Sequence, residues 1–448
     1  MSSLSPQAQA VIDAFGQHPG VTQDHLNNLQ AVIFASPALI DQINAAVAEG
    51  HLKAIVPLTH PNAGGEYDPQ NQAMRLPLDR LTTPPPGPDQ ADTALHNAGE
   101  ITYVLGHELR HGFNRIATQE AQAKFSNDVR GIAQNVPPPR DYTAPAAALL
   151  AQHRRDEAGA EIAGWNAIVS RVKSANPNQD PSLQEIFEAQ QGRVRNFIDQ
   201  SQDGPPYTYT LKPNLTLNPD MTLSPSAANL EAMGQNFFDK VAENTRIGPL
   251  GTSDYANYYG RSAVSHIAQV ERHYHPPQPG IATPQMGLDL SQLRLSEKLL
   301  EENGIDLGQH QQPLPYYDFG NQPPTAHLFQ HTLATHQHEL PIATDMPRFD
   351  PARERSQTDP AGHDASAWSP QRPEAARDNS IDAIFERLTD AALLGDREGM
   401  RAAVEDWKHS PDGRQAEREV SEYLAAQARA EAQEAARVQA QTGPVLVR

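Results

Sequence analysis

The chain has 448 residues with 35 Lys and Arg against 55 Asp and Glu, a net charge of -20, pI ≈ 5.3 and no cysteine. That balance excludes a general binder of nucleic acid or anionic membrane. The absence of cysteine excludes disulfides and thiolate ligands, so any metal must be held by His, Asp or Glu. No stretch approaches the roughly twenty apolar residues of a membrane span, and the length permits two or three domains.

The first fifty residues read as helical. Ser36-Pro37 is a cap followed by proline at the first helical position, leading into Ala38-Leu39-Ile40-Asp41-Gln42-Ile43. A hairpin is expected next: His51 to Leu58 carries Leu52, Ile55, Val56 and Leu58, then Gly64-Gly65 punctuates the chain before Tyr67 and Met74 to Leu78. Pro77 places this element at a sheet edge, because proline cannot donate to a central ladder. A small sheet of core strands is the alternative. Thr82 to Pro88 is a Pro-rich loop that delivers the chain to the next helix.

That helix, expected over 96–114, carries His107-Glu108-Leu109-Arg110-His111. Residues four apart share one helix face, so His107 and His111 can reach one metal ion. Glu108 follows about 100° further round, close enough to touch a water at that metal. Two imidazoles and a carboxylate base in this order suit a zinc hydrolase. A solvated face that happens to carry two histidines is the competing account. Against it, Ile101, Leu105, Leu109 and Phe113 cluster on the opposite side, giving the helix a core face and a chemical face. Gly112 leaves room for close approach at some cost in helix stability.

Catalytic zinc usually takes three protein ligands. The segment from Pro145 to Val172 reads as the helix that supplies the third, with Pro145 at its start and Ala146 to Leu150 favouring helix. Glu157 and Glu161 share a face, and Ala158, Gly159 and Ala160 between them allow close helix packing. Two exposed carboxylates beside Arg154 and Arg155 are the bland alternative. His153 and Asp156 are rival ligands.

His-Glu-x-x-His followed downstream by Glu-x-x-x-(Asp/Glu) resembles the gluzincins, the glutamate zincins. The resemblance covers the motif and about seventy residues around it. It implies that His107, His111 and Glu157 bind Zn²⁺, that Glu108 is the base, and that Glu161 orients a histidine ligand. The chain departs from the family in having Glu rather than the commoner Asp at position 161. In zinc peptidases an edge strand beside the metal helix commonly receives substrate as an added strand.

Beyond these helices, Pro206 to Leu211 is a short strand, Ser226 to Glu243 a helix with Leu230, Met233, Phe237 and Phe238, and Asp254 leads a helix through His266 and Val270. Zinc hydrolases often stabilise the oxyanion with a Tyr, His or Arg from a later segment. The candidates are Tyr255, Tyr258, Tyr259 and His266, of which Tyr259 and His266 are carried forward as catalytic, although tyrosines so dense commonly pack at a core rim. Ser296 to Asn303 is a helix stopped by Gly304. His327, His331, His336 and His338 suit an incidental chelator or a polar loop better than a second catalytic site.

The composition changes over 340–379, where Pro, Ser, Asp and Arg mark a linker or disordered segment. Residues 380–448 read as a helical tail rich in Gln and Ala, with an amphipathic stripe through Ile381, Ile384, Phe385 and Leu388. A metalloprotease-like body, a linker and the stretch from Asp382 to Gln441 together resemble bacterial toxin effectors of specialised secretion systems, including Xanthomonadales-type effectors with a glutamine-rich delivery region. That resemblance implies a secretion-system receptor for the tail and an immunity protein. Met1 to Pro6 lacks a positive start and apolar core, so synthesis in the bacterial cytoplasm without a signal peptide is expected, and the effector resemblance implies secretion into a target cell or its periplasm.

The expected fold is α+β and mainly helical: a zincin-like domain over 1–335 with a small edge sheet, then the linker and a separate helical region. The expected activity is zinc-dependent hydrolysis of a peptide or protein, or of a peptidoglycan amide. The rivals are a metal-stabilised binding protein whose tail recruits a partner, and a pseudo-peptidase that binds chains without cutting them.

Overall fold

The computed structural model describes residues 3–59, 64–202, 204–276, 283–309 and 311–341, and in the tail Arg401, Ala402, Glu405, Lys408 and Arg414. The chain forms two compact units, Met1–Asp359 and Pro360–Arg448. Apart from the residues just named, the expected linker over 340–379 and tail over 380–448 lie outside the described residues. The first unit is mainly helical with small sheets and so belongs to the α+β class.

Three helices open it: α1 (Pro6–Phe15), α2 (Gln23–Phe34) and α3 (Pro37–Ala48). Proline begins α1 and α3, where its missing N–H has no intrahelical partner to lose. Ser5 and Thr22 cap their helices by accepting the backbone N–H of Ala8 and His25. Ser36 does not cap through its side chain; its hydroxyl donates to the Ala167 carbonyl at 3.0 Å and pins α3 to a distant helix.

Strands β1 (Ala54–Pro57), β2 (Glu66–Asp68) and β3 (Ala73–Leu76) follow. Their order is β1-β3-β2, with β1 parallel and β2 antiparallel to β3. This corrects two expectations. The hairpin joins β2 to β3 and leaves β1 out, and β3, which leads to Pro77, is the central strand. Pro77 lies past the last paired residue, Leu76, and opens α4 (Leu78–Leu81), so its missing N–H costs the ladder nothing. The edge strand beside the next helix is β2.

That helix, α5 (Gln90–Asn135), runs 46 residues and extends well beyond the 96–114 expected. Gly112 gives the close approach expected of it: the Tyr67 ring of β2 packs 3.1 Å from where its Cβ would stand. Farther on, Phe125 and Val129, with Ala121 and Ile132 against them, bury one stripe in a second core. Strand β4 (Arg140–Asp141) then leads into α6 (Thr143–Ala175), near the expected 145–172.

Helices α5 and α6 pack antiparallel. His111 meets Asp156, His107 meets Glu161, and Thr102 meets Arg171. Glycines set the separation. A Cβ on Gly106 would stand 2.8 Å from the Ala163 carbonyl oxygen, and one on Gly164 would stand 2.7 Å from the Tyr103 ring.

The remaining elements wrap this pair. They are α7 (Leu183–Ala189), α8 (Gln191–Val194), the hairpin of β5 (Ile198–Gln200) and β6 (Tyr209–Leu211), and α9 (Ala227–Met233). The helix expected over 226–243 breaks into α9, a π-helical turn at Gly234–Phe238 and α10 (Ala242–Thr245). Arg154 presses on the turn, where a Cβ on Gly234 would overlap its guanidinium carbon. Asp254 caps α11 (Tyr255–Tyr274). Next come β7 (Met286–Leu288), α12 (Leu290–Leu293), α13 (Glu297–Glu302), β8 (Leu314–Asp318) and β9 (Thr325–Phe329). They include a four-stranded sheet ordered β4-β7-β8-β9.

Three apolar cores meet at α5 and α6. The amino-terminal helices and first sheet close over Ile101, Leu105 and Leu109. Helix α11 and the four-stranded sheet close over Phe125, Val129, Leu149 and Leu150. Residues 183–238 close over Tyr103, Ile162, Trp165 and Ile168. Among the described residues no single helix is long and apolar enough to cross a membrane.

Two substitutions on α5 separate packing from propensity. Gly106→Ala should lower the unfolding free energy in urea by ~1–3 kcal/mol, because the added methyl meets backbone that cannot yield. Gly131→Ala, with nothing within 4 Å of the new Cβ, should raise it by ~0.5–1 kcal/mol. Equal effects at the two positions would refute the close-approach account.

Candidate metal centre

The α5–α6 contact brings together His107 and His111 from one helix and Asp156, Glu157 and Glu161 from the other. The imidazoles lie one turn apart with their Nε2 atoms 3.1 Å from each other. The Glu157 carboxylate faces them, with Oε2 3.6 Å from His107 Nε2. One donor atom from each of His107, His111 and Glu157 falls within 4.8 Å of the others, close enough to hold a metal ion.

The atoms facing away from that point explain why the Nε2 atoms face inward. His111 Nδ1 lies 3.0 Å from Asp156 Oδ2, and Asn114 Nδ2 donates to Asp156 Oδ1 at 2.7 Å. His107 Nδ1 lies 3.3 Å from Glu161 Oε1, at an angle short of a well-formed hydrogen bond. Asn196 Nδ2 donates to Glu161 Oε2 at 2.6 Å, and Lys240 Nζ donates to Asn196 Oδ1 at 2.5 Å. A carboxylate beyond each Nδ1 favours a proton there, which leaves the Nε2 lone pairs to converge. Two lone pairs at such a distance repel unless a cation or a proton lies between them. The donor set of two nitrogens and a carboxylate fits zinc.

Burial and charge act together on these groups. Burial opposes charge on His111, but the Asp156 hydrogen bond and the charges of Glu157, Asp156 and Glu108 push it up to about 10. Burial also works against ionised Asp156, yet hydrogen bonds from His111 and Asn114 hold its carboxyl below the usual range. Glu157 is raised by burial. Its Oε1 accepts the Tyr259 hydroxyl at 2.5 Å, and that phenol is raised well above its ordinary value by burial and then by Glu157.

The other sequence candidates fall into distinct places. Glu108 sits beside the start of β2, where a Cβ on Gly65 would stand 3.5 Å from Glu108 Cγ. Asp156, a rival ligand from sequence, is engaged with His111 instead. His153, the other rival, stacks on Tyr259 with ring centroids 4.1 Å apart, and burial pulls it down to about 4. Tyr259 reaches the group, but through Glu157. Tyr255 stacks nearby, raised by burial and by Glu157, Glu161 and Glu108. His266 does not reach the group: it packs on Phe125, whose position on α5 is about 21 Å along the axis from His111. Its role as a catalytic residue is set aside for that reason.

Sequence reasoning missed Asn114, Asn196 and Lys240. Asn114 carried a signal, being three residues past His111 on the same face. Asn196 and Lys240 carried none, since each reaches the site only through the fold.

A second group among the described residues has donor atoms close enough for a metal ion: Glu297, Glu301 and His338. Glu301 Oε2 lies 2.6 Å from His338 Nδ1, and burial raises that carboxyl to about 7. His327 Nδ1 lies 3.2 Å from Glu297 Oε2, while His331 Nδ1 accepts the Leu307 N–H.

Comparison with family models, curated proteins and solved structures finds no match to this chain.

Two outcomes test the electrostatics of the centre. Below about pH 10 metal-free His111 carries a proton that an ion must displace. Binding of a divalent ion near pH 7 should therefore release at least one proton, and affinity should rise with pH until His111 has titrated. Calorimetry in buffers of differing ionisation enthalpy checks this; identical heats would refute it. Asn196→Ala, which removes the donor holding Glu161, should weaken divalent-ion binding by ~10–100-fold in a chelator competition.

Proposed function

We propose that this chain is a zinc-dependent hydrolase of peptide or related amide bonds, with a zincin-like arrangement of α5, α6 and the β2 edge. The observation that carries the reading is the pair of inward-facing Nε2 atoms 3.1 Å apart, opposite Glu157 and backed by Asp156 and Glu161. Any cation can sit among two nitrogens and a carboxylate. Their combination with Glu108, one residue after the first ligand, favours hydrolysis over a purely structural ion.

His107, His111 and Glu157 would hold the ion, which when bound supplies Lewis-acid polarisation of a carbonyl and a more acidic water. Glu108 takes the proton from the attacking water and passes it to the leaving nitrogen. Asp156 and Glu161 keep the ligand imidazoles in the tautomer that presents Nε2. Tyr259, by donating to Glu157 Oε1, leaves Oε2 turned toward His107. With the Tyr259 hydroxyl given to Glu157, Tyr255 stacked beside it would be the tyrosine left to meet a developing oxyanion. Strand β2 stands at the edge of its sheet among the described residues, a position that suits an extended chain as substrate.

The delivery reading rests on composition: a cysteine-free acidic chain with a Gln/Ala-rich end. On that reading the enzyme is a bacterial effector acting on a protein or a peptidoglycan amide, its tail meets a secretion-system receptor, and an immunity protein protects the producer.

Metal content and turnover of a peptide pool by wild type, Glu108→Gln and His111→Ala test the proposal. Wild type should hold zinc and cleave. Glu108→Gln should keep its zinc and lose ~10²- to 10⁴-fold in rate, and His111→Ala should lose both. A wild type without zinc, or full activity in Glu108→Gln, would overturn it.

A further inference from the structure

Away from the metal centre, α2, α4 with the loop after it, and the facing surfaces of α5 and α6 line a half-open cavity of ≈ 240 Å³. Its polar lining comprises Arg80, Arg171, Asn28, Asn97, Thr82 and Thr83, and no acidic side chain borders it. In a chain of net charge -20 that is an inverted local balance.

Both guanidiniums are only partly engaged. Arg171 Nη1 donates to Thr102 Oγ1 at 3.3 Å, a neutral oxygen on α5. Burial lowers the pKa of Arg171, with no carboxylate acting against it. Arg80 Nη1 donates to Asn97 Oδ1 at 3.1 Å, and its Nε lies 3.6 Å from Asp79, an outward-facing carboxylate. Each guanidinium carries five N–H donors in a planar fork suited to oxyanions, so both keep donors to spare. The hydroxyl side of the cavity is held in place. Asn28 Nδ2 donates to the Leu81 carbonyl and to Thr83 Oγ1, and Thr83 gives its N–H and hydroxyl to Asp24 at 2.8 and 2.6 Å. Asp24 therefore spends its charge on Thr83, outside the ring of cavity-lining residues.

We propose that this cavity is a binding site for a small oxyanion, a phosphate or carboxylate group, held between Arg80 and Arg171. The volume admits a compact metabolite-sized anion and excludes a folded partner. A bound anion would link α2 and α4 to α5 and α6 on the side of α5 that carries Asn97, about 15 Å along the axis from His107. None of these residues belongs to the metal group, so the site stands apart from the hydrolase reading.

Calorimetric titration of the full-length protein with inorganic phosphate, and separately with succinate, tests it. The same titrations in a His107→Ala/His111→Ala background exclude binding directed by the metal centre. Saturable one-to-one binding of at least one probe is expected, equal in both backgrounds and weakened at least tenfold by Arg171→Gln and by Arg80→Gln. The stronger probe identifies the group recognised. Arg80 is the more exposed of the two, so its substitution keeps the test valid should Arg171→Gln fail to fold. Failure of both probes to saturate, dependence on the two histidines, or wild-type affinity in a folded variant would overturn the proposal.

Discussion

The centre depends on how closely α5 approaches α6. Gly106 lies against the Ala163 carbonyl and Gly164 against the Tyr103 ring, so no side chain props the helices apart at their crossing. Short carboxylates on one helix can then reach imidazoles on the other without a loop between them. Because both helices are long and buried in three cores, the reach of each side chain is set by rigid backbone. Ser36 extends the same constraint to the amino-terminal helices by donating to the carbonyl of Ala167, one turn past Ala163 on α6. A bulkier residue at the crossing would lengthen every His–carboxylate distance together.

Such closeness concentrates negative charge where solvent is scarce. Glu157 and Glu161 are 5% and 0% exposed, and Asp156 is 9% exposed. A buried carboxylate without compensation would cost several kcal/mol. Compensation comes in tiers. Asp156 takes Asn114 and His111, Glu157 takes the Tyr259 hydroxyl, and Glu161 takes Asn196, itself held by Lys240. Lys240 brings a positive charge near Glu161 through an amide rather than by contact. A direct Lys–Glu pair would bind Glu161 more tightly and draw it from His107. The amide relay leaves Oε1 facing the imidazole.

Sequence periodicity reached the two long helices because their patterns are local: histidines four apart, carboxylates four apart, and an apolar stripe through Ile101, Leu105 and Leu109. The resemblance to the gluzincins, and not the periodicity, grouped His107, His111 and Glu157, which the fold places within one donor cluster. Three features were not legible. The parallel pairing of β1 with β3 depends on a crossover, and short strands carry no mark of their neighbours. The second half of α5 has a sparse stripe that only the packing of α11 makes sense of. His266 had the right chemistry, but a single helix cannot reveal which stretch of a 46-residue partner it will face.

The two His/Glu groups found among the described residues differ in how their atoms are paired. In the Glu297–Glu301–His338 group the closest contacts run directly between opposite partners: His338 Nδ1 meets Glu301, His327 Nδ1 meets Glu297, and the Tyr316 hydroxyl donates to Glu297. Those contacts satisfy the donors and acceptors among themselves, so an ion entering there must break pairs already made. Around His107 and His111 the corresponding carboxylates stand behind the rings, at Nδ1, and the closest contact across the centre is nitrogen to nitrogen. That arrangement is unfavourable for the bare side chains and becomes favourable only when a proton or a cation fills it. The two groups are therefore told apart by which atoms face the centre, nitrogen to nitrogen in one and nitrogen to carboxylate in the other, and not by the mere nearness of His and Glu.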